Sequence, residues 1–154
     1  WRIATAGNLI DQDRIARDLL AENETWPLAR AAFDPWGAPG ILAALQNALG
    51  KDSGGEERVI TVPLQARYLS AAMKWIDGLL RDGRFHHNGD PVAAWAVNNV
   101  ACKPDQNDNW FPRKPAAKSR KTDPGVALII GMSQAMANDE PVPSVYEKRG
   151  VIAI

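Results

Sequence analysis

The chain has 154 residues, 45% of them hydrophobic, which is enough for one domain with a real core. Eighteen Lys and Arg offset eighteen Asp and Glu, so bulk charge speaks neither for nor against nucleic acid, and any such signal must be local. The single cysteine excludes an internal disulfide, no apolar run is long enough for a membrane span, and no signal-peptide layout opens the chain, which points to a soluble, cytoplasmic protein.

Trp1 to Asn8 is a short lead-in, and the first residue is not methionine, so the chain is expected to be part of something longer. Asp11 is an N-cap for a helix running to about Asn23, with Ile15, Leu19 and Leu20 on one side. Leu28 to Phe33 reads as a short buried strand, although its alanines are poor strand formers, and it must stop at Asp34-Pro35 because proline cannot continue a central ladder. Pro39 opens the next helix and Gly50 stops it, with Ile41, Leu42, Leu45 and Leu49 between them. After a charged, Gly-rich loop, Arg58 to Leu64 is the clearest strand in the sequence. A helix from Ala66 to about Asp82 follows, whose apolar face is Leu69, Ala72, Met73, Ile76, Leu79 and Leu80. Strand–helix–strand–helix with short connections predicts a parallel unit and an α/β fold, with Phe33 and Val59 to Val62 on neighbouring strands.

The second half is less regular. Asp90-Pro91 opens a helix to about Val100, and Ala101 to Arg113 reads as a hairpin about a turn-rich centre. Asp123-Pro124 repeats the cap-plus-proline signature before a helix carrying Val126, Ile129, Ile130 and Met136. Pro141 and Pro143 end regular structure. The expected organisation is a domain over residues 1–138 and a tail over 139–154 that closes on the apolar Val151 to Ile154.

No phosphate-binding loop, zinc spacing or nucleophile elbow is present, and the adjacent His86 and His87 would face opposite ways on a strand. What remains is carboxylates and a local run of base. Asp34 and Asp123 each stand at a junction between an apolar element and a helix, and Asp34, at the C-terminal end of a strand, sits where open α/β sheets put their ligands. Two-ion phosphodiester hydrolysis needs hard oxygen ligands gathered from distant chain positions. A turn or helix cap explains each acid equally well, and pattern alone does not separate these readings. Arg113, Lys114, Lys118, Arg120 and Lys121 precede Asp123 with no acid among them. Such a segment suits a phosphate backbone held without reading its sequence, or is a solvated linker.

Linked motifs resemble one family. Phe85-His86-His87-Asn88-Gly89-Asp90-Pro91-Val92, then Trp95 and Asn99-Val100, resembles the C-terminal nuclease region of tailed-phage terminase large subunits. That family has His-Asp-Gly-Asn-Pro-Val, then a tryptophan, then an asparagine; Asn88 and Asp90 exchange its acid and amide. Ala6-Gly7-Asn8, Phe33-Asp34-Pro35-Trp36, Gln65, Lys121-Thr122-Asp123-Pro124-Gly125-Val126-Ala127-Leu128 and Ser144 to Gly150 agree in order and spacing, so the likeness covers nearly the whole chain.

The resemblance implies a ribonuclease H-like nuclease fold, lacking its first strands here, that cuts concatemeric double-stranded DNA during packaging with Mg or Mn. The family's second and third metal-binding acids fall on Asp34 and Asp123, with His87 and Asn99 as active-site support. Its first catalytic aspartate, and the packaging ATPase domain, would lie upstream of Trp1, so the chain alone would be inactive. The implied partners are DNA, the portal, the small terminase subunit and the ATPase domain, in the host cytoplasm and without a membrane. The competing expectation is a non-catalytic DNA- or portal-binding module in which Asp34 and Asp123 are only caps.

Overall fold

Two strands and two helix pairs hold the site in place. A computed structural model of the chain describes residues 10–36, 39–113, 115 and 119–137. The expected tail over 139–154, the Ala6-Gly7-Asn8 motif, Lys114 and Lys118 lie outside the described residues. The elements run α1 (Gln12–Thr25), β1 (Ala31–Phe33), α2 (Pro39–Leu49), β2 (Val59–Thr61), α3 (Ala66–Arg81), α4 (Pro91–Asn98), β3 (Ala101–Pro104), β4 (Trp110–Arg113) and α5 (Asp123–Ala137).

Local chemistry sets most boundaries. Asp11 Oδ1 accepts from the Arg14 N–H at 2.9 Å and opens α1 as a cap should. Pro39 is the first residue of α2, and Gly50, at φ +58°, takes the left-handed conformation that ends it. Asp90 Oδ1 accepts from Val92 and Ala93 N–H at 2.7 and 2.9 Å, with Pro91 behind it, and starts α4. That helix stops at Asn98, two residues before the expected Val100.

The strands β1 and β2 are parallel, with Ala31, Ala32 and Phe33 opposite Val59, Ile60 and Thr61. Both are shorter than the sequence suggests, for identifiable reasons. Leu28 is withdrawn from the ladder because its N–H donates to Asn23 Oδ1 at 2.9 Å and its carbonyl accepts from the Arg58 guanidinium. Beyond Thr61, the Val62 N–H still reaches Phe33 O at 2.8 Å, but Pro63 has no N–H to extend the ladder.

Period-2 alternation gives this small sheet two different faces. Ala31, Phe33 and Val59 pack with Ala16, Ile41, Leu45 and Leu49 of α1 and α2. Ala32 and Ile60 face the other way, onto Leu69, Ala72, Met73 and Ile76 of α3 and Ile129 and Ile130 of α5. Burying each of Leu69, Met73 and Ile76 contributes roughly 1.5–3 kcal/mol. The expected apolar face fails at its end, because Leu80 is 51% exposed. It lines an open groove beside Val97 and Leu128 rather than the core.

The antiparallel pair β3–β4 forms the expected hairpin, with Ala101 opposite Arg113 and Pro104 opposite Trp110. It is pinned to α3 by Trp110 N–H on Ser70 Oγ at 2.9 Å and by Lys74 Nζ on Asp108 Oδ2 at 2.8 Å. No helix among the described residues is long and apolar enough to cross a membrane.

Candidate active-site cleft

Asp34 follows directly on the C-terminal end of β1, the edge where open α/β sheets present ligand-binding groups. Its Oδ1 accepts from the Trp36 N–H at 3.2 Å, so the carboxylate and the Pro35 turn hold each other. The side chain is half-buried.

Asp123 is set from the opposite side. It is the first residue of α5 rather than its cap, since the Val126 N–H donates to Thr122 O at 2.9 Å. Thr122 is buried, and the buried Asn99 at the end of α4 donates from Nδ2 to Lys121 O at 3.1 Å. Gly125 lets α5 approach α4 closely: a Cβ there would lie 2.6 Å from Val100 Cγ2 and 3.1 Å from Ala96 O. The start of α5 is therefore fixed by three neighbours, while the Asp123 side chain itself is exposed. Among the described residues, no hydrogen bond or ion pair engages its carboxylate.

Asp34 and Asp123, 89 positions apart in the chain, line one cleft of about 430 Å³. Arg113, at the end of β4, lines it too, with its guanidinium 5.3 Å over the Phe111 ring. Apolar side chains, including Phe33, Leu64 and Ile130, make up much of the remaining wall. Two carboxylates and one guanidinium thus share a partly apolar cleft, a combination that attracts a cation first and takes a phosphate once that cation offsets the acids.

The other expected site residues are placed differently. Asn99 supports the approach to Asp123 rather than facing the cleft. His87 accepts the Gly89 N–H at Nδ1 (3.0 Å) and lines a separate apolar groove with Phe85, Pro124 and Leu128. Arg120 and Lys121 are exposed just before Asp123. Sequence reasoning did not single out Trp36 or Gly125 as parts of the site, although both lie inside family-like motifs; Trp36 lines the cleft and is 85% exposed. Among the described residues no three His, Cys, Asp or Glu side chains are grouped to hold a metal ion. The two carboxylates are hard oxygen donors, and their chemistry fits Mg or Mn.

The model of the terminase large subunit endonuclease domain matches residues 3–139. The chain belongs to this family. The terminase domain is also 30% identical to Protein YmfN of Escherichia coli K12 over 152 residues, which is 97% of this chain and 30% of that protein. Its fold resembles the crystal structure of the HK97 bacteriophage large terminase, with a TM-score of 0.68 at 20% identity over 84% of this chain and 26% of that one. It also resembles the large terminase nuclease from thermophilic phage G20c, with a TM-score of 0.57 at 18% identity over 83% of this chain and 64% of that one. The terminase domain thus has the α/β, ribonuclease H-like architecture of terminase nucleases, and it spans less than a third of the curated relative's length.

Proposed function

We propose that this terminase domain is the distal part of a metal-dependent endonuclease that cuts concatemeric double-stranded DNA during phage genome packaging. The observation that carries the reading is the shared cleft of Asp34 and Asp123, acids that come from a strand end and a helix start far apart in the chain. Asp34 holds a turn and Asp123 begins a helix, and neither role requires the two acids to line the same cleft. Asp34 and Asp123 would hold Mg or Mn, which when bound supplies an activated water and stabilises the leaving oxygen of the phosphodiester. Arg113 faces the same cleft and neutralises a phosphate. Arg120 and Lys121, exposed beside it, hold the backbone without reading bases. Asn99, Thr122 and Gly125 position Asp123 without touching substrate.

Two carboxylates leave Mg mostly with water ligands, so we assign a third to polypeptide outside this chain. The extent of the relatives supports that assignment, because the chain covers 64% of the G20c nuclease. The portal, the small terminase subunit and an ATPase domain are the proposed partners, in the host cytoplasm.

A cleavage assay tests the proposal. The chain alone should bind duplex DNA and cut it little. A longer polypeptide carrying the upstream aspartate should cut with Mg or Mn, and Asp123→Asn should abolish cutting there while sparing DNA binding. Cutting that survives Asp123→Asn would sink the proposal.

A further inference from the structure

Trp36 has the highest fractional exposure among the exposed large apolar side chains of the described residues, at 85%. Exposing an indole forfeits a large hydrophobic gain, so its setting matters. Trp26, at 72%, is not among the residues lining the acid cleft, whereas Trp36 is. Its backbone is held: Pro35 restricts the turn, and the Trp36 N–H is bound to Asp34 Oδ1 at 3.2 Å. Two residues of chain span at most about 7 Å, so the Trp36 Cα stays within that distance of the Asp34 Cα. Successive nucleotides of one strand rise about 3.4 Å along the axis of duplex DNA, so their bases are close neighbours. A phosphate held by Arg113 and a metal ion on the two acids would therefore bring the base or sugar of a flanking nucleotide within reach of Trp36. The apolar wall from Phe33, Leu64 and Ile130 has nothing to offer a phosphate but suits a base face.

We propose that Trp36 is a stacking platform for a nucleotide drawn out of the helix next to the phosphate to be cut, which makes unstacked DNA the preferred occupant of the cleft. The proposal rests on the nuclease reading above and adds a specificity-determining residue to it. A fully stacked duplex shields its base faces, and an indole on the cleft wall has little to bind there. At a flap, a bulge or a locally opened step a base face is available, and every base has one, so the preference is for structure and not for sequence.

The test compares two probes: a short blunt duplex, and the same duplex with one unpaired 2-aminopurine nucleotide. The parent chain should favour the second by roughly 5- to 150-fold, the size of one base–aromatic stack. The 2-aminopurine fluorescence should be quenched on binding. In Trp36→Ala the ratio of the two affinities should fall towards one and the quenching should disappear. Trp36→Phe should keep most of both, and Trp36→Leu, apolar but unable to stack, should lose both. Circular dichroism checks that each variant is folded. A parent that binds the blunt duplex and Mn but shows no preference overturns the stacking role alone. So does a Trp36→Ala variant that keeps the preference, or a Trp36→Leu variant that matches Trp36→Phe. A parent that binds neither probe nor Mn overturns the nuclease reading, and the stacking role with it.

Discussion

The same substitution at two glycines of α5 should move stability in opposite directions. At Gly125 a methyl would meet Val100 Cγ2 at 2.6 Å, Ala96 O at 3.1 Å and Val97 Cα at 3.3 Å. The Val100 methyl is side chain and can rotate, but the other two atoms are backbone, so relief requires α4 and α5 to separate by several tenths of an ångström. Overpacking of this kind costs about 1–3 kcal/mol. The helix-propensity gain of alanine over glycine is at most about 1 kcal/mol, and less in a first turn. Gly125→Ala should therefore destabilise by about 1–2 kcal/mol, which for a chain of this size lowers Tm by roughly 2–8 °C. Gly131, six residues further along, is exposed and has nothing within 4 Å of the added carbon. Gly131→Ala should stabilise by roughly 0.5–1 kcal/mol through backbone entropy and propensity alone. Thermal melts of both variants beside the parent decide the matter. Because Gly125 stands two residues after Asp123, its variant should also weaken Mn binding, and Gly131→Ala should not. A Gly125→Ala melt at or above that of the parent would refute the close α4–α5 contact as the seat of the acid.

Three further outcomes follow from the same structure. Asn99→Asp cannot donate to Lys121 O, so it should cost about 1–3 kcal/mol of stability and lower Mn affinity in a titration; an unchanged affinity would remove Asn99 from the support of Asp123. Replacing Arg113, Arg120 and Lys121 by alanine should weaken duplex binding equally for all sequences and flatten the plot of log K against log salt by about 0.9 for each phosphate no longer neutralised; an identical slope would make this segment a linker. The Lys74 ammonium beside Asp108 holds that carboxyl below its ordinary value of 3.8, so the pair supports the hairpin above that pH and is lost as pH falls through the lower folded value. Lys74→Met should move the Asp108 titration upward in a carboxyl NMR experiment, and an unmoved titration would exclude the pairing.

The parts of the fold that were readable in the sequence are those fixed within a few residues. Asp11, Pro39, Gly50 and Asp90-Pro91 mark helix ends through their own backbone chemistry, and each does so in the structure. Strand lengths were less readable because they depend on distant partners. Nothing near Leu28 announces that Asn23 and Arg58 will take up its backbone groups. Leu80 carries the right periodicity, but the structure leaves it half exposed at an open groove, and periodicity does not say where packing stops. For the site, residue type and flanking elements marked Asp34 and Asp123, whereas their shared cleft depends on how α5 packs against β1 and could not be read locally. Asp123-Pro124 looked like a cap and proline at N1, yet Asp123 is itself the first helical residue, since Thr122 O takes the first helical bond. Gly125 reads as an ordinary glycine until α4 is seen against it.

In the proposed site Asp34 and Asp123 would hold the same metal ion. A Mn titration followed by water-proton relaxation, on the parent chain, Asp34→Asn, Asp123→Asn and the double variant, tests it most directly. If the carboxylates share an ion, each single substitution should remove most of the binding and the double should add little, with a coupling of at least about 0.5 kcal/mol. Two losses that simply add, or one substitution that leaves Mn binding intact, would contradict a common site.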